Sequence, residues 1–213
     1  SILKISKRDQ KKIAIIDSSN KKITYLQLLI AAKLLKSTLK KQGLFNERVG
    51  LLLPTSAAGV ITNVAIIFAG KEMINLNFTL GEETLLKCIK KAKISTIITA
   101  KKFIKKLEKK EITFSLINKQ VKWIYLEDIF PRSTSKKLFS WLQIKVLPNL
   151  LLKKLIIEKN NHDVACILFS SGSEGSPKGI QLTQQNIRSN IDQIATIFSP
   201  NPNDRIINNL PLF

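Results

Sequence analysis

The residues from Ser170 to Gly179, Ser-Ser-Gly-Ser-Glu-Gly-Ser-Pro-Lys-Gly, combine the properties that an anion-binding loop requires. Glycines at positions 172, 175 and 179 permit positive φ angles and let the backbone approach a ligand closely. Successive backbone N–H groups in such a loop can form a concave anion site. Lys178 adds a positive charge suited to phosphate, and hydroxyl donors come from Ser170, Ser171, Ser173 and Ser176. The loop is therefore predicted to bind phosphate groups.

Two other serine or glycine motifs do not fit these residues. A P-loop requires Gly-x-x-x-x-Gly-Lys followed by Ser or Thr, whereas Lys178 stands three residues after Gly175 and precedes Gly179. The Gly-x-Ser-x-Gly pattern of a nucleophilic serine does not match either. His162, the one histidine of the chain, lies between two polar residues and is predicted to be an exposed loop residue.

The loop needs a strand on each side to hold it. The apolar run from Val164 to Phe169 predicts a buried strand that leads into the loop. The residues from Ile180 to Leu182 can return as a second strand, and Thr183 is a candidate N-cap for a helix to about Ile197.

Upstream of the loop, strand-like and helix-like patterns alternate. Ile13–Ile16 and Lys21–Thr24 flank a polar turn and predict a hairpin. Thr24 and Gln27 form a capping box for a helix that ends near Gln42. Further strands are predicted at 49–53, 73–76, 96–99 and 121–126, and further helices at 57–69, 82–92 and 101–110. Continuous apolar strands alternating with helices predict an α/β fold with a mostly parallel sheet covered by helices.

The segment 127–163 departs from this alternation. Its part from Leu138 to Ile157 is apolar with interspersed lysines, and Pro148 divides it. A pair of basic amphipathic helices lying on an anionic surface is one interpretation. The other is an excursion that packs on the core and keeps its lysines solvated.

The charge balance is strongly basic, with Lys+Arg 35 against Asp+Glu 15 and a net charge of +20. Such a surface attracts polyanions. The Lys/Ile/Asn-rich composition that is typical of proteins from AT-rich genomes explains the excess equally well. Cys88 and Cys166 lie in apolar segments without metal-ligand spacing and are predicted to be buried free thiols. The chain has no initiator Met and stops at Phe213 without a helix cap, so we expect it to be part of a longer protein.

The phosphate loop and the residues after it, through Ile187, resemble the signature of the AMP-forming superfamily. This superfamily contains acyl-CoA and aryl-CoA synthetases, firefly luciferase and peptide-synthetase adenylation domains. The resemblance implies that the loop holds the β- and γ-phosphates of ATP, with Mg²⁺ as a further cofactor, while a carboxylate is adenylated. The matching positions are Ser170, Ser171, Gly172, Ser173, Gly175 and Lys178. Glu174 departs from the Ser or Thr that the family usually has there, and no phosphate contact is assigned to it.

The sequence Ser-Gly-Ser-Glu-Gly-x-Pro-Lys-Gly resembles more closely the acyl-acyl carrier protein synthetase part of bacterial 2-acylglycerophosphoethanolamine acyltransferases. Stretches at 69–79, 123–128 and 203–213 agree with it. This implies a fatty acid:acyl carrier protein ligase that serves lysophospholipid reacylation in the cytoplasm, at the inner face of the bacterial inner membrane. An acyl-CoA or aryl-CoA ligase is the alternative within the enzyme class. A basic membrane-surface or polyanion-binding module without catalysis is the alternative outside it, and no nucleic-acid partner is expected.

By this resemblance, residues 1–213 form part of an N-terminal AMP-binding domain. It divides into a βα region at 1–126, a basic amphipathic insertion at 127–163, and the phosphate loop with its following helix and strand at 164–213. The family's adenine-binding motif and catalytic lysine lie downstream of these residues. No catalytic residue and no metal ligand is therefore assigned, and the 213-residue chain is expected to be inactive alone.

Overall fold

The computed structural model describes residues 2–43, 47–130, 134–158, 164–170, 176–201, 203–208 and 210–213. The helices in these ranges are α1 (Ile2–Arg8), α2 (Tyr25–Lys41), α3 (Ala57–Phe68), α4 (Glu82–Lys91), α5 (Lys101–Glu108), α6 (Leu126–Ile129), α7 (Thr134–Val146), α8 (Asn149–Ile156) and α9 (Gln184–Phe198). The strands are β1 (Ile13–Ile16), β2 (Lys22–Thr24), β3 (Arg48–Leu52), β4 (Glu72–Asn75), β5 (Thr96–Thr99), β6 (Lys122–Tyr125), β7 (Val164–Ser170) and β8 (Lys178–Thr183).

The β1–β2 hairpin leads directly into α2, as the sequence predicts. The Thr24 hydroxyl accepts the N–H of Gln27 at 3.2 Å, and the Gln27 side chain accepts the N–H of Thr24 at 2.9 Å. This reciprocal capping box satisfies two N–H groups that the first helical turn would leave without partners. Gly43, with φ of +62°, follows the end of α2.

The strands other than β1 and β2 form one sheet in the order β6-β5-β3-β4-β7-β8, and all its pairs are parallel except β7 with β8. Side chains alternate between its two faces. Leu51 and Ile98 join a cluster with α2 and α3, whereas Leu52 and Ile97 join a second cluster with α4 and α5. Helices thus cover both faces, which confirms the predicted α/β class with a mostly parallel sheet.

Two short helices were not expected from the sequence. α1 buries only Leu3 and Ser6, so its seven residues carry too little apolar periodicity to predict a helix. α6 is a single turn after β6, where the Glu127 carboxylate accepts the backbone N–H groups of Lys101 and Lys102 at the start of α5. These are tertiary hydrogen bonds between residues far apart in sequence, which local patterns do not encode.

The basic segment forms two helices, α7 and α8, and Pro148 is the N-cap of the second. Ile144, Leu152 and Ile156 are buried in the cluster that also contains α2 and α3. Part of the segment therefore packs on the core, while other apolar side chains remain exposed. Within the described ranges, no helix combines the length and the apolar character needed to cross a membrane.

Candidate phosphate-binding site

The site is built on the antiparallel pair β7–β8. Their register runs from Cys166 opposite Leu182 to Ser170 opposite Lys178, so the ladder closes where the loop begins. Because β3, β4, β5, β6 and β7 are mutually parallel, the end of β7 lies at the carboxyl edge of the sheet. Ligands of open α/β sheets bind outside this edge.

Ser170 and Lys178 are the two predicted site residues that the structure describes, and it brings them together. They face each other across the ladder, and both are exposed. Directly opposed residues project from the same face of an antiparallel pair. A hydroxyl donor and an ammonium group therefore stand side by side where the loop begins and ends, which suits a phosphate group.

The other predicted positions, Ser171, Gly172, Ser173 and Gly175, lie outside the described residues, as do Glu174 and His162. The phosphate contacts of Ser171, Gly172, Ser173 and Gly175 remain predictions.

The returning side of the loop is held by a contact that the sequence did not reveal. Pro177 is buried, and its carbonyl accepts a hydrogen bond of 3.1 Å from the Nζ of Lys91 at the end of α4. The two residues are 86 positions apart, so no local signal connects them. Lys91 thus fixes the backbone immediately before Lys178.

Gly179 lies close to the side chains of β7. A Cβ at this position would lie 3.3 Å from the ring of Phe169 and 3.4 Å from the Cγ2 of Ile167. The first of these distances is tighter than most Cβ contacts, so a side chain here would require the Phe169 ring to shift by a few tenths of an ångström.

A second group of residues at the carboxyl edge is apolar. The terminal residues 210–213 contact the segments that follow β3 and β4. The Thr55 hydroxyl donates to the carbonyl of Leu210 at 3.2 Å, and the rings of Phe78 and Phe213 meet edge-to-face at 5.2 Å. The edge therefore offers aromatic and aliphatic side chains as well as the polar pair at the loop.

The two cysteines do not supply a nucleophile. Both are buried and free, as predicted, and burial raises the pKa of each thiol, Cys88 and Cys166. A raised pKa disfavours the reactive thiolate. The described residues also contain no group of three or more His, Cys, Asp or Glu side chains that could hold a metal ion.

Comparison with known proteins gives a consistent result. The family model described as AMP-binding enzyme matches residues 4–213. A long-chain-fatty-acid–CoA ligase from Bacillus subtilis is 27% identical over 82% of this chain and 34% of that protein. Long-chain-fatty-acid–CoA ligase 5 from Rattus norvegicus is 30% identical over 89% of this chain and 30% of that protein. The chain thus spans about a third of the length of these relatives.

Solved structures show the same fold. o-Succinylbenzoate CoA synthetase from Bacillus subtilis matches 99% of this chain and 39% of that chain, with a TM-score of 0.77 at 18% identity. The same synthetase in complex with ATP and magnesium ion matches 99% of this chain and 39% of that chain, with a TM-score of 0.73 at 20% identity.

Proposed function

The chain belongs to the AMP-binding enzyme family, and we propose that the complete polypeptide activates a long-chain fatty acid with ATP and transfers the acyl group to CoA. A carboxylate oxygen attacks the α-phosphorus of ATP, the α–β phosphoanhydride bond breaks, and pyrophosphate leaves. The CoA thiolate then attacks the acyl carbonyl, and AMP leaves. The observation that carries this proposal is the β7–β8 loop at the carboxyl edge, entered at Ser170 and left at Lys178.

The fatty-acid substrate is supported by two observations. The relative from Bacillus subtilis and the relative from Rattus norvegicus are both long-chain-fatty-acid–CoA ligases. The carboxyl edge of this chain also carries the apolar side chains of Phe78, Leu212 and Phe213. An acyl chain binds such a surface through apolar burial, at about 0.8 kcal/mol per buried CH₂ group.

There are two candidates for the thiol acceptor, CoA and acyl carrier protein. The names of the relatives favour CoA over acyl carrier protein. The observation that favours acyl carrier protein is the sequence of the loop, with Glu174 in place of the usual hydroxyl residue, and a net charge of +20 would attract an acidic carrier. CoA is the first candidate because two independent relatives support it.

The residues at the two ends of the β7–β8 loop suit the phosphates of ATP bound with Mg²⁺. Ser170 and Lys178 would contact phosphate oxygens, and Lys91 would keep the loop in register through Pro177. Mg²⁺ commonly binds substrate phosphates with one or two carboxylates rather than a cage of protein ligands. In this proposal, Mg²⁺ would be held mainly by the phosphates of the bound nucleotide.

The direct test is pyrophosphate exchange into ATP by the complete polypeptide, followed by thioester formation. We expect exchange that depends on a long-chain fatty acid and Mg²⁺, and an acyl thioester on CoA. A set of saturated fatty acids of increasing length and one aryl carboxylate should be compared in the same assay.

Three results would change the conclusion. Exchange with the aryl acid alone would replace the fatty-acid substrate. Thioester formation on acyl carrier protein but not on CoA would establish the second acceptor. No exchange with any carboxylate would overturn the proposed function.

A further inference from the structure

The helix α7 presents polar side chains to the protein. Lys33 on α2 donates through its Nζ to the Ser140 hydroxyl at 3.3 Å and to the side-chain oxygen of Gln143. Ser140 is buried, and Ile144 beside it is fully buried. Burial, with the nearby charge of Lys36, lowers the pKa of Lys33. The inner side of α7 is thus held in part by hydrogen bonds to a lysine.

The end of α8 is held in a similar way. Lys36 of α2 is only 6% exposed, and its Nζ donates to the carbonyl of Ile156 at 2.7 Å. The same ammonium group lies 3.1 Å from the carboxylate of Glu158, which also accepts a hydrogen bond from Lys40 at 2.8 Å. These bonds fix which sides of α7 and α8 face the protein.

The opposite sides of both helices are apolar and exposed. Val146, Leu150 and Phe139 are 68%, 67% and 61% exposed. The exposed apolar residues of the two helices, called here the α7–α8 face, are Leu138, Phe139, Leu142, Val146, Leu150, Leu151 and Leu155. Both helices therefore carry apolar residues on two sides, since Ile144, Leu152 and Ile156 are buried in the core while these residues are exposed. Seven exposed apolar side chains within 18 residues are more than scattered surface residues, and they mark a candidate interaction site.

The charged residues of α7 and α8 are all positive. Between Thr134 and Ile156 there are five lysines and no acidic residue. Lys145 lies with its Nζ 5.0 Å from the centre of the Trp141 ring, and Lys153 and Lys154 are exposed on α8. The apolar residues are therefore bordered by positive charge.

The helix α1 extends the positive border. The Nζ of Lys7 donates to the carbonyl of Leu147, between α7 and α8. An open cleft of about 410 Å³ lies there, lined by Lys4, Ile5, Lys7, Arg8 and Asn149. Lys4 and Lys7 thus add positive charge beside the start of α8, where an anionic headgroup would be attracted, whereas Arg8 is paired with Asp9 at 3.0 Å.

We propose that the α7–α8 face docks on an anionic phospholipid bilayer, with its apolar side chains in the interface and the lysines of α1, α7 and α8 against the headgroups. Helices that lie in a membrane interface combine an apolar face with Lys or Arg on their polar side. An anionic bilayer complements both features, because its interface accepts the apolar side chains and its headgroups attract the lysines. This docking is separate from the proposed catalysis, because it involves no residue of the β7–β8 loop.

The test uses the complete polypeptide and sedimentation with two kinds of vesicles, phosphatidylglycerol mixed with phosphatidylcholine and phosphatidylcholine alone. We expect binding to the anionic vesicles that weakens strongly with salt, because the Debye length falls from about 10 Å at 0.1 M to about 3 Å at 1 M ionic strength. The emission of Trp141 should shift to shorter wavelength on binding, and the Trp141→Phe protein should lose this shift.

Two variants separate the charge from the apolar contact. Lys153→Gln with Lys154→Gln should weaken anionic-vesicle binding about thirtyfold, since each basic residue at such a surface contributes about 1 kcal/mol. Phe139→Ser with Leu150→Ser should weaken it at least tenfold, and exposure of both side chains keeps the fold intact. The matched controls, Lys105→Gln with Lys106→Gln on the exposed side of α5 and Leu116→Ser, should bind as the parent does.

Pyrophosphate exchange should be equal in all these variants and in the parent, which keeps the result independent of the proposed function. Absence of binding to anionic vesicles at low salt would overturn the proposal, and would indicate that another part of the polypeptide covers this face. Equal binding by the α7–α8 variants and the parent would also overturn the proposal, because it would show that another surface contacts the vesicles. Salt-sensitive capture of acyl carrier protein, lost in the α7–α8 variants without any vesicle binding, would replace the bilayer with an acidic protein.

Discussion

Lys178 is the residue through which the phosphate loop can be tested most directly. It is the first residue of β8, is exposed, and lies opposite Ser170. Its neighbour Pro177 is buried and held by Lys91. The position of the ammonium group therefore depends on the sheet and on α4, rather than on the loop alone.

Replacing Lys178 with Ala should raise the KM for ATP in the exchange assay tenfold or more. Charge-assisted hydrogen bonds contribute roughly 1.5–3 kcal/mol each, and the substitution removes the charge without filling the site. Lys105→Ala, on the exposed side of α5, is the matched control and should leave the KM unchanged. Identical ATP dependence of the Lys178→Ala protein and the parent would remove Lys178 from the nucleotide site.

Glu158 gives the fold a specific pH dependence. Partial burial acts to raise its pKa, but the hydrogen bonds from Lys40 and Lys36 outweigh this and lower the pKa below its usual value. A carboxylate whose pKa is lower in the folded state stabilises the fold fully above its unfolded pKa of about 4.3. This stabilisation is lost as the pH falls through the folded pKa.

The Glu158→Gln protein should be about 1–2 kcal/mol less stable than the parent at pH 7, because buried Lys36 loses a carboxylate partner. Denaturant unfolding at pH 7, 5, 4 and 3 should show the difference between the two proteins shrinking as the pH falls below the unfolded pKa of about 4.3. Asp128→Asn breaks an exposed ion pair with Lys101 and should cost much less. A difference between Glu158→Gln and the parent that is constant from pH 7 to pH 3 would contradict this assignment.

Among the elements, α3 packs at the carboxyl edge through its first turn. Gly59 lies in its first turn, where a Cβ would be 2.9 Å from the carbonyl oxygen of Pro54 and 2.8 Å from the Cδ1 of Leu212. The backbone carbonyl has no free rotation to relieve this contact. The small residue therefore allows the segment after β3, α3 and the terminal residues to pack against each other.

Gly59→Ala should lower the free energy of unfolding by about 1 kcal/mol, although Ala usually stabilises a helix relative to Gly by a similar amount. The steric cost of overpacking, typically 1–3 kcal/mol, decides the sign. Ser37→Ala on the exposed side of α2 is the control and should be neutral or slightly stabilising. A more stable Gly59→Ala protein would show that the contact with Pro54 relaxes at no cost.

The elements that the sequence predicted well are those with a local signal. The capping residues Thr24 and Thr183 both make their hydrogen bonds to the third helical residue, as expected. The buried strand before the loop was equally clear, because Val164–Phe169 is continuously apolar. Local chemistry therefore predicted the start of both helices and the framework of the site.

The contacts that the sequence did not predict join distant residues. The hydrogen bond of Lys91 with Pro177 depends on how α4 packs beside the loop, and that of Lys33 with Gln143 depends on how α2 packs against α7. The orientation of α7 was hidden for the same reason, since Lys33 bonds Ser140 on the inner side while Leu138 and Phe139 are exposed. Periodicity shows that a helix is amphipathic but does not show which side is buried.

At the scale of the whole molecule, the C-terminal part of the chain is unusually apolar on its surface. α9 has no buried residue, and Ile191, Ile194, Ile197 and Phe198 are exposed along it. The curated relatives are about three times as long as this chain. We infer that further parts of the polypeptide cover α9 and complete the site.

The 213-residue chain by itself should therefore show no carboxylate-dependent pyrophosphate exchange, whereas the complete polypeptide should. The measurement is the same exchange assay on both proteins at equal concentration, with circular dichroism to show that the short chain is folded. Robust exchange by the short chain would mean that residues 1–213 already contain a complete adenylation site.

Cys166 makes the framework of the site accessible to kinetic measurement. It is buried on β7 at the position that pairs with Met73 of β4, and its raised pKa keeps it protonated. A thiol reagent can modify it only when the structure around β7 opens, so its labelling rate reports how often the sheet beside the phosphate loop opens. Cys88 on α4 is also buried, and its labelling rate provides an internal reference for opening elsewhere in the molecule. Slower labelling of Cys166 relative to Cys88 in the presence of a nucleotide would measure how strongly the bound phosphates close that part of the molecule.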